Sequence, residues 1–154
     1  MRKIVKAEIL ITRRCNLNCF YCGIKRKRPE RDAAFWREAF RRIKALGATF
    51  VPIYGAEPLV YPQLVEVVAA AVEVGLDHTV ISNSTLLSED LAKRLVDAGL
   101  ESWTVSLDFP EARLHPPSTR KRARAALRAL DIFGSLGLRD LEVVMTLGRS
   151  VSIP

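Results

Sequence analysis

A fourth cysteine is missing. The chain has three, all within the stretch CNLNCFYC at residues 15–22, and an odd set packed this tightly is a poor disulfide framework. Histidine is almost as scarce: His78 and His115 are the only two, so nitrogen ligands for a metal are few. No apolar run is long enough to span a membrane. The longest, around VVAAAV, is bounded by Glu66 and Glu73 and falls short of the ~20 residues a bilayer demands. The basic start MRKIVKAEILI lacks a signal-peptide core, because Lys6 and Glu8 interrupt it. These absences point to the cytoplasm, where reducing conditions keep thiols available as ligands. Acids are outnumbered as well, with 17 Asp and Glu against 24 Lys and Arg, a net charge of +7. The basic residues gather in KRKRPER (25–31) and RKRAR (120–124), and such clusters can meet nucleic acid or another anion. No aromatics are interleaved with them, so a base-stacking surface is not indicated. The simpler expectation is a solvated loop and the outer face of a helix.

What the chain does have is a rhythm. Short runs rich in β-branched residues, AEILIT, FVPIYG, HTVISN, SWTVSL and LEVVMT, have the length and composition of strands. Four helical patterns lie between them. Asp32 is positioned to cap the first, which puts Trp36, Phe40, Ile43 and Leu46 on one face. The second has Pro62 near its first turn and carries Leu64, Val67, Val68 and Ala71. Ser88 caps the third, with Glu89 and Asp90 favourably placed against the helix dipole. Ser118 caps the fourth, whose apolar face is Ala123, Leu127, Leu130 and Phe133. Each pattern ends at a glycine (Gly47, Gly75, Gly99, Gly137), and a strand follows within a few residues.

Helix, glycine and strand in repetition signify βαβ units with parallel strands and right-handed crossovers. The expected fold is therefore α/β, a single domain over residues 1–154 with five strands and four helices. A closed eight-stranded barrel takes about 250 residues, so the sheet is expected to be open or a partial barrel. Its last strand edge is a hazard that needs covering, by a partner chain or by further chain after Pro154.

In parallel α/β folds ligands bind at the carboxyl ends of the strands. The first strand leads into Cys15, Cys19 and Cys22, and the second into YGAEP (54–58). The third ends in Ser82, Asn83 and Ser84, the fourth in Ser106 and Asp108, and the fifth near Met145 and Thr146. Polarity is ordinary for loops, but three cysteines on that rim are not. Thiolates suit zinc, copper(I) and iron–sulfur clusters. A closed zinc site needs a fourth ligand, and only His115 is on the correct side to supply it, since His78 starts a strand at the opposite end. A cubane cluster needs no fourth side chain if one iron is left open for a substrate.

The spacing C-x3-C-x2-C, with an aromatic before the last cysteine and placed after a first strand, resembles the signature of the radical S-adenosylmethionine (radical SAM) enzymes. The resemblance covers essentially the whole chain. It implies a partial TIM-like (β/α)6 barrel, of which residues 1–154 form a core without the sixth strand. It also implies a [4Fe-4S] cluster held by Cys15, Cys19 and Cys22, with S-adenosylmethionine chelating the open iron. One electron, from a donor such as flavodoxin or ferredoxin, then yields methionine and a 5′-deoxyadenosyl radical that takes hydrogen from an unidentified substrate. Carried over by position, Tyr21 matches the aromatic beside the adenine. Gly55, Ala56, Glu57 and Pro58 resemble the GGEP motif that receives the methionine amino group. Asn83 falls at the Thr-Asn-Gly end of the third strand. Ser106 and Asp108 match the SLD of the fourth, which contacts ribose or the methionine carboxylate. Val144 to Thr146 fall where a segment flanks the adenine, with strand packing the expected role of Val144 and Met145. Two positions depart from the pattern: Ala56 replaces a glycine, where a methyl restricts the backbone, and SNS (82–84) replaces Thr-Asn-Gly.

Overall fold

The computed structural model describes residues 5–19, 22–24, 29–107, 117–138 and 140–145, with the side chains of 117–120 excepted. Within these, five strands and four α-helices alternate. They are β1 (Ile9–Thr12), α1 (Ala33–Ala45), β2 (Phe50–Gly55), α2 (Leu64–Val74), β3 (Asp77–Ser82), α3 (Glu89–Asp97), β4 (Ser102–Ser106), α4 (Pro117–Ser135) and β5 (Asp140–Val144). A single 3-10 turn, Pro58–Val60, precedes α2.

The strands form one sheet in the order β1-β2-β3-β4-β5, and every neighbouring pair is parallel. Spatial order equal to chain order has a consequence. Right-handed crossovers that always advance in one direction put every helix on the same face. The other face is left to line a concavity, as in an arc of a barrel. The helix-covered face holds the core: Val51, Ile53, Val80, Trp103 and Val105 from strands, against Phe40, Val67, Val68, Ala71, Ala92, Leu95 and Phe133 from helices. Trp103 and Phe133 pack with ring centroids 4.6 Å apart.

Local chemistry sets the boundaries. The Asp32 carboxylate accepts the Phe35 N–H at 2.8 Å to start α1, and the Ser88 hydroxyl accepts that of Leu91 at 3.1 Å to start α3. The α2 terminator Gly75 has φ +70°, a conformation that a Cβ disfavours.

Four expectations are corrected. Helix α1 stops at Ala45, so Leu46 leaves its apolar face and is 62% exposed. Ser118 lies inside α4, which Pro117 opens; proline suits this position because the N–H it lacks would have had no helical partner. The inward face of α4 is Ala123, Ala126, Ala129, Ile132 and Phe133, while Leu127 is exposed. Alanines let the helix lie close to the sheet, and size alone is a poor guide to which side faces inward. At the far edge, Val143, Val144 and Met145 of β5 and its end are exposed. The strand-packing role expected of Val144 and Met145 is thus not what the described residues show, and Thr146 lies outside them. No helix among the described residues is long and apolar enough to cross a membrane.

Candidate cofactor site

Because all strands point the same way, their carboxyl ends share one rim, and the loops leaving them meet there. One cavity of about 170 Å³ on this rim is lined by Cys15, Cys19, Cys22, Gly55, Ala56, Glu57, Asn83 and Ser106, together with Leu17, Tyr54, Ile81, Ser82 and Arg122. Ten positions named at the strand ends from the sequence are thereby brought together, Tyr54 and Ser82 among them. Pro58 is buried just behind them as the first residue of the 3-10 turn. Tyr21 and Asp108 lie outside the described residues, as does His115.

The cysteine loop is anchored at its start. The Arg14 guanidinium donates to Glu30 through Nε (2.9 Å) and Nη2 (2.8 Å), and Nη2 also donates to the Val60 carbonyl at 2.9 Å. The Thr12 hydroxyl donates to the same carboxylate. Burial by itself would raise the Glu30 carboxyl, but the hydrogen bonds from Arg14 and Thr12 hold it below its ordinary value. A second anchor is an amide cluster. Asn83 Nδ2 donates to Asn16 Oδ1 at 3.2 Å, Asn16 Nδ2 to Thr85 Oγ1 at 2.7 Å, and Thr85 Oγ1 to Asn83 Oδ1 at 2.6 Å. The end of β3 therefore holds the residue next to Cys15.

Gly55 permits a close backbone approach at the site. A Cβ there would sit 2.6 Å from the Thr12 carbonyl oxygen, where the β1–β2 register shifts. Past it, the Ala56 and Glu57 N–H groups donate to the Thr12 and Arg14 carbonyls at 2.9 and 3.0 Å. Ala56 is not among the described residues with positive φ, so its methyl conflicts with no backbone requirement. The glycine-like conformation falls at the other departure: Ser84 has φ +59°. Its Oγ accepts the Trp103 indole N–H at 3.2 Å, a bond that glycine could not make.

Glu57 is 1% exposed and accepts three bonds: from the Ser82 hydroxyl (2.6 Å), Leu59 N–H (3.0 Å) and Asn83 N–H (2.8 Å). Burial raises its carboxyl above the ordinary value, and those three hydrogen bonds pull against the rise. The side chain thus ties the β2 loop to the end of β3.

The thiols fit a cluster in their chemistry. Cys15 Sγ accepts from Leu17 N–H at 3.3 Å, Cys22 N–H turns back to the Cys19 carbonyl at 3.1 Å, and Arg122 Nη1 donates to Cys19 Sγ at 3.5 Å. Donors aimed at sulfur are among the levers on cluster potential. Among the described residues no three His, Cys, Asp or Glu side chains converge closely enough to hold a single metal ion. The thiols share a cavity rather than a point, which suits a cluster that takes one thiolate per iron. His78 is buried at the opposite end of the sheet, with Nδ1 3.1 Å from the Leu76 carbonyl.

Sequence reasoning missed Arg122, Asn16 and Thr85. Arg122 was counted in a solvated basic face, yet it is 5% exposed and lines the cavity. The available signal was helical phase: Arg122, Ala126, Ala129 and Phe133 share one face, and the last three are buried. Of the other basic segment, residues 25–28 lie outside the described ones, and Arg31 stacks over Phe35 at 5.1 Å.

The family model of the Radical SAM superfamily matches residues 9–153, and the chain belongs to that superfamily. Over 151 residues it is 33% identical to a probable GTP 3',8-cyclase of Methanopyrus kandleri, covering 95% of this chain and 48% of that protein. A PqqA peptide cyclase of Methylocella silvestris is 34% identical over 107 residues, or 67% of this chain and 29% of the relative. Among solved structures, SuiB of Streptococcus suis has a TM-score of 0.81 at 19% identity, covering 96% of this chain and 34% of SuiB. SuiB bound to S-adenosylmethionine has a TM-score of 0.78 at 19% identity, covering 97% and 34%. At that identity the structural likeness speaks for the partial-barrel fold alone. The chain spans about half the length of the cyclase relative.

Proposed function

We propose that this chain is a radical SAM core that binds a [4Fe-4S] cluster through Cys15, Cys19 and Cys22 and S-adenosylmethionine at the iron they leave open. The observation that carries the reading is the shared cavity: three thiols, the Gly55–Glu57 loop, Asn83 and Ser106 on one rim. When bound, these cofactors supply reductive cleavage to methionine and a 5′-deoxyadenosyl radical that abstracts hydrogen from a substrate.

The protein's part is positioning. The β2 loop offers backbone carbonyls to the methionine amino group, and buried Glu57 fixes that loop against Asn83. Asn83 and Ser106, with Asp108, supply polar contacts to the ribose and carboxylate, and Tyr21 flanks the adenine. Ile81 and Leu17 add apolar wall, which limits water around a reactive species. A low-potential one-electron donor such as flavodoxin or ferredoxin completes the system, in the cytoplasm. The substrates named in the relatives differ, a nucleotide in one and a peptide in another, so the proposal stops at hydrogen abstraction.

The test is anaerobic purification and reconstitution, followed by dithionite and S-adenosylmethionine. Iron, sulfide and 5′-deoxyadenosine are expected, and Cys19→Ala should lose all three. Cluster uptake without 5′-deoxyadenosine would confine the function to cofactor binding. One zinc per chain and no iron would overturn the proposal in favour of a zinc module.

A further inference from the structure

The cavity contains a buried cation that the family signature does not account for. Arg122 lies early in α4, its guanidinium 3.5 Å from Cys19 Sγ across 103 positions of sequence. Its direction follows from helix phase. It begins the stripe of Ala126, Ala129 and Phe133, all packed inward, so the side chain leaves the helix on the sheet side. Lys121 and Arg124, on either side, are exposed.

An arginine stays charged at any physiological pH. Burying it is costly unless anions accompany it, and a ligating thiolate at Cys19 would be one of them. A charge-assisted bond to sulfur also acts on redox balance. Reduction adds one negative charge to the cluster and its thiolates, and a nearby fixed positive charge favours the more negative state, more strongly where water is excluded.

We propose that Arg122 is a positioning residue for the cluster: donating to the Cys19 thiolate, it orients that ligand and raises the cluster's midpoint potential. The inference rests on the cofactor reading above. The step it affects transfers one electron from a low-potential donor of the flavodoxin or ferredoxin class to the cluster. No bond breaks and no proton moves.

The test is a redox titration of the full, anaerobically reconstituted chain with dithionite and mediators, followed by electron paramagnetic resonance. Arg122→Met should lower the midpoint enough for about a tenfold fall in the ratio of reduced to oxidised cluster at fixed donor potential, ~59 mV for a one-electron couple. Arg122→Gln, which keeps an N–H but no charge, should fall part of the way, and Arg122→Lys should stay near the parent. If the Met variant does not fold, the Gln and Lys pair carries the comparison. Circular dichroism and iron content check that the compared chains are intact. Parent-like midpoints in the uncharged variants, including the case where only S-adenosylmethionine affinity weakens, overturn the inference and leave the cofactor reading standing. A parent chain that takes up no iron overturns both.

Discussion

The carboxylate of Glu57 offers the sharpest test of how the site is held. It accepts one bond each from Ser82 and Leu59 on Oε1 and one from Asn83 N–H on Oε2, and it is 1% exposed. Glu57→Gln keeps the volume but puts an amide N–H₂ or a single oxygen where two acceptors stood. One buried donor is left facing another, at a cost of ~1–3 kcal/mol. Glu57→Ala leaves two backbone N–H groups and a hydroxyl without their acceptor. The hydroxyl can turn away, so the loss is about 3–5 kcal/mol, a large share of the ~5–15 kcal/mol that holds a domain together. Urea unfolding at neutral pH reads both, as a lower midpoint with unchanged slope. The pH dependence has a definite sign. Burial raises the Glu57 carboxyl in the folded state, so the folded chain keeps a proton that the unfolded chain has released. That contribution is fully present below the ordinary carboxylate range and is lost as pH rises through the raised value. Glu57→Gln cannot titrate there, so the gap between parent and variant should be widest in acid and narrow as pH rises. A Gln variant within about 0.5 kcal/mol of the parent, at every pH tested, would refute this account of the clamp.

Gly55→Ala places a Cβ 2.6 Å from the Thr12 carbonyl oxygen, so β1 and the β2 loop must part. Expected are a loss of ~1–3 kcal/mol in urea unfolding and reduced iron uptake on reconstitution; unchanged stability would mean that the approach is not tight. Ser84→Gly relieves a left-handed serine, worth ~1–2 kcal/mol, and forfeits the Trp103 indole bond, worth ~1 kcal/mol, so its melting point should barely move. Ser84→Ala keeps the strain and orphans a buried N–H, and should cost ~1–3 kcal/mol; equal melting points for the two variants would contradict that balance. Trp103→Ala empties a fully buried site against Phe133 and should cost ~3–5 kcal/mol by denaturant unfolding, whereas a loss below ~1 kcal/mol would place that ring outside the core.

Strand and helix order was legible because periodicity and glycine stops report local physics. FVPIYG is β2 residue for residue, and Asp32 and Ser88 cap the helices they precede. The gathering of the three cysteines on one cavity was legible because they follow the first strand at close spacing, and the strand ends share a rim. What stayed hidden depends on contacts between distant segments. The fourth helix shows it: Leu127 looks like core and Arg122 like surface, yet the alanines face the sheet and draw the arginine in with them. Asn16 and Thr85 are ordinary loop residues until β3 brings Asn83 between them. Ala56 and Ser84 invert in the same way. The first departs from the family motif without conformational consequence, while the second adopts the backbone of the glycine it replaces and adds a bond to Trp103.

Besides two bonds within the loop, the anchors of the cysteine loop come from distant segments. Arg14 is held by Glu30 and by the Val60 carbonyl beyond β2, Asn16 by the end of β3, and Cys19 by a guanidinium from α4. None of these bonds needs a metal, and all of them need the sheet. Zinc-finger-like domains fold around their ion because no core exists without it; here twenty-eight apolar residues among those described are buried independently of the thiols. The core therefore does not depend on a cluster, and the contacts to Arg14, Asn16 and Cys19 restrain the start and middle of the loop, so a cluster bound there would meet a segment that has already lost part of its entropy. The protein's contribution to the proposed chemistry would be this preorganisation, encoded less in the cysteines themselves than in the distant carboxylate, amide and guanidinium that hold Arg14, Asn16 and Cys19.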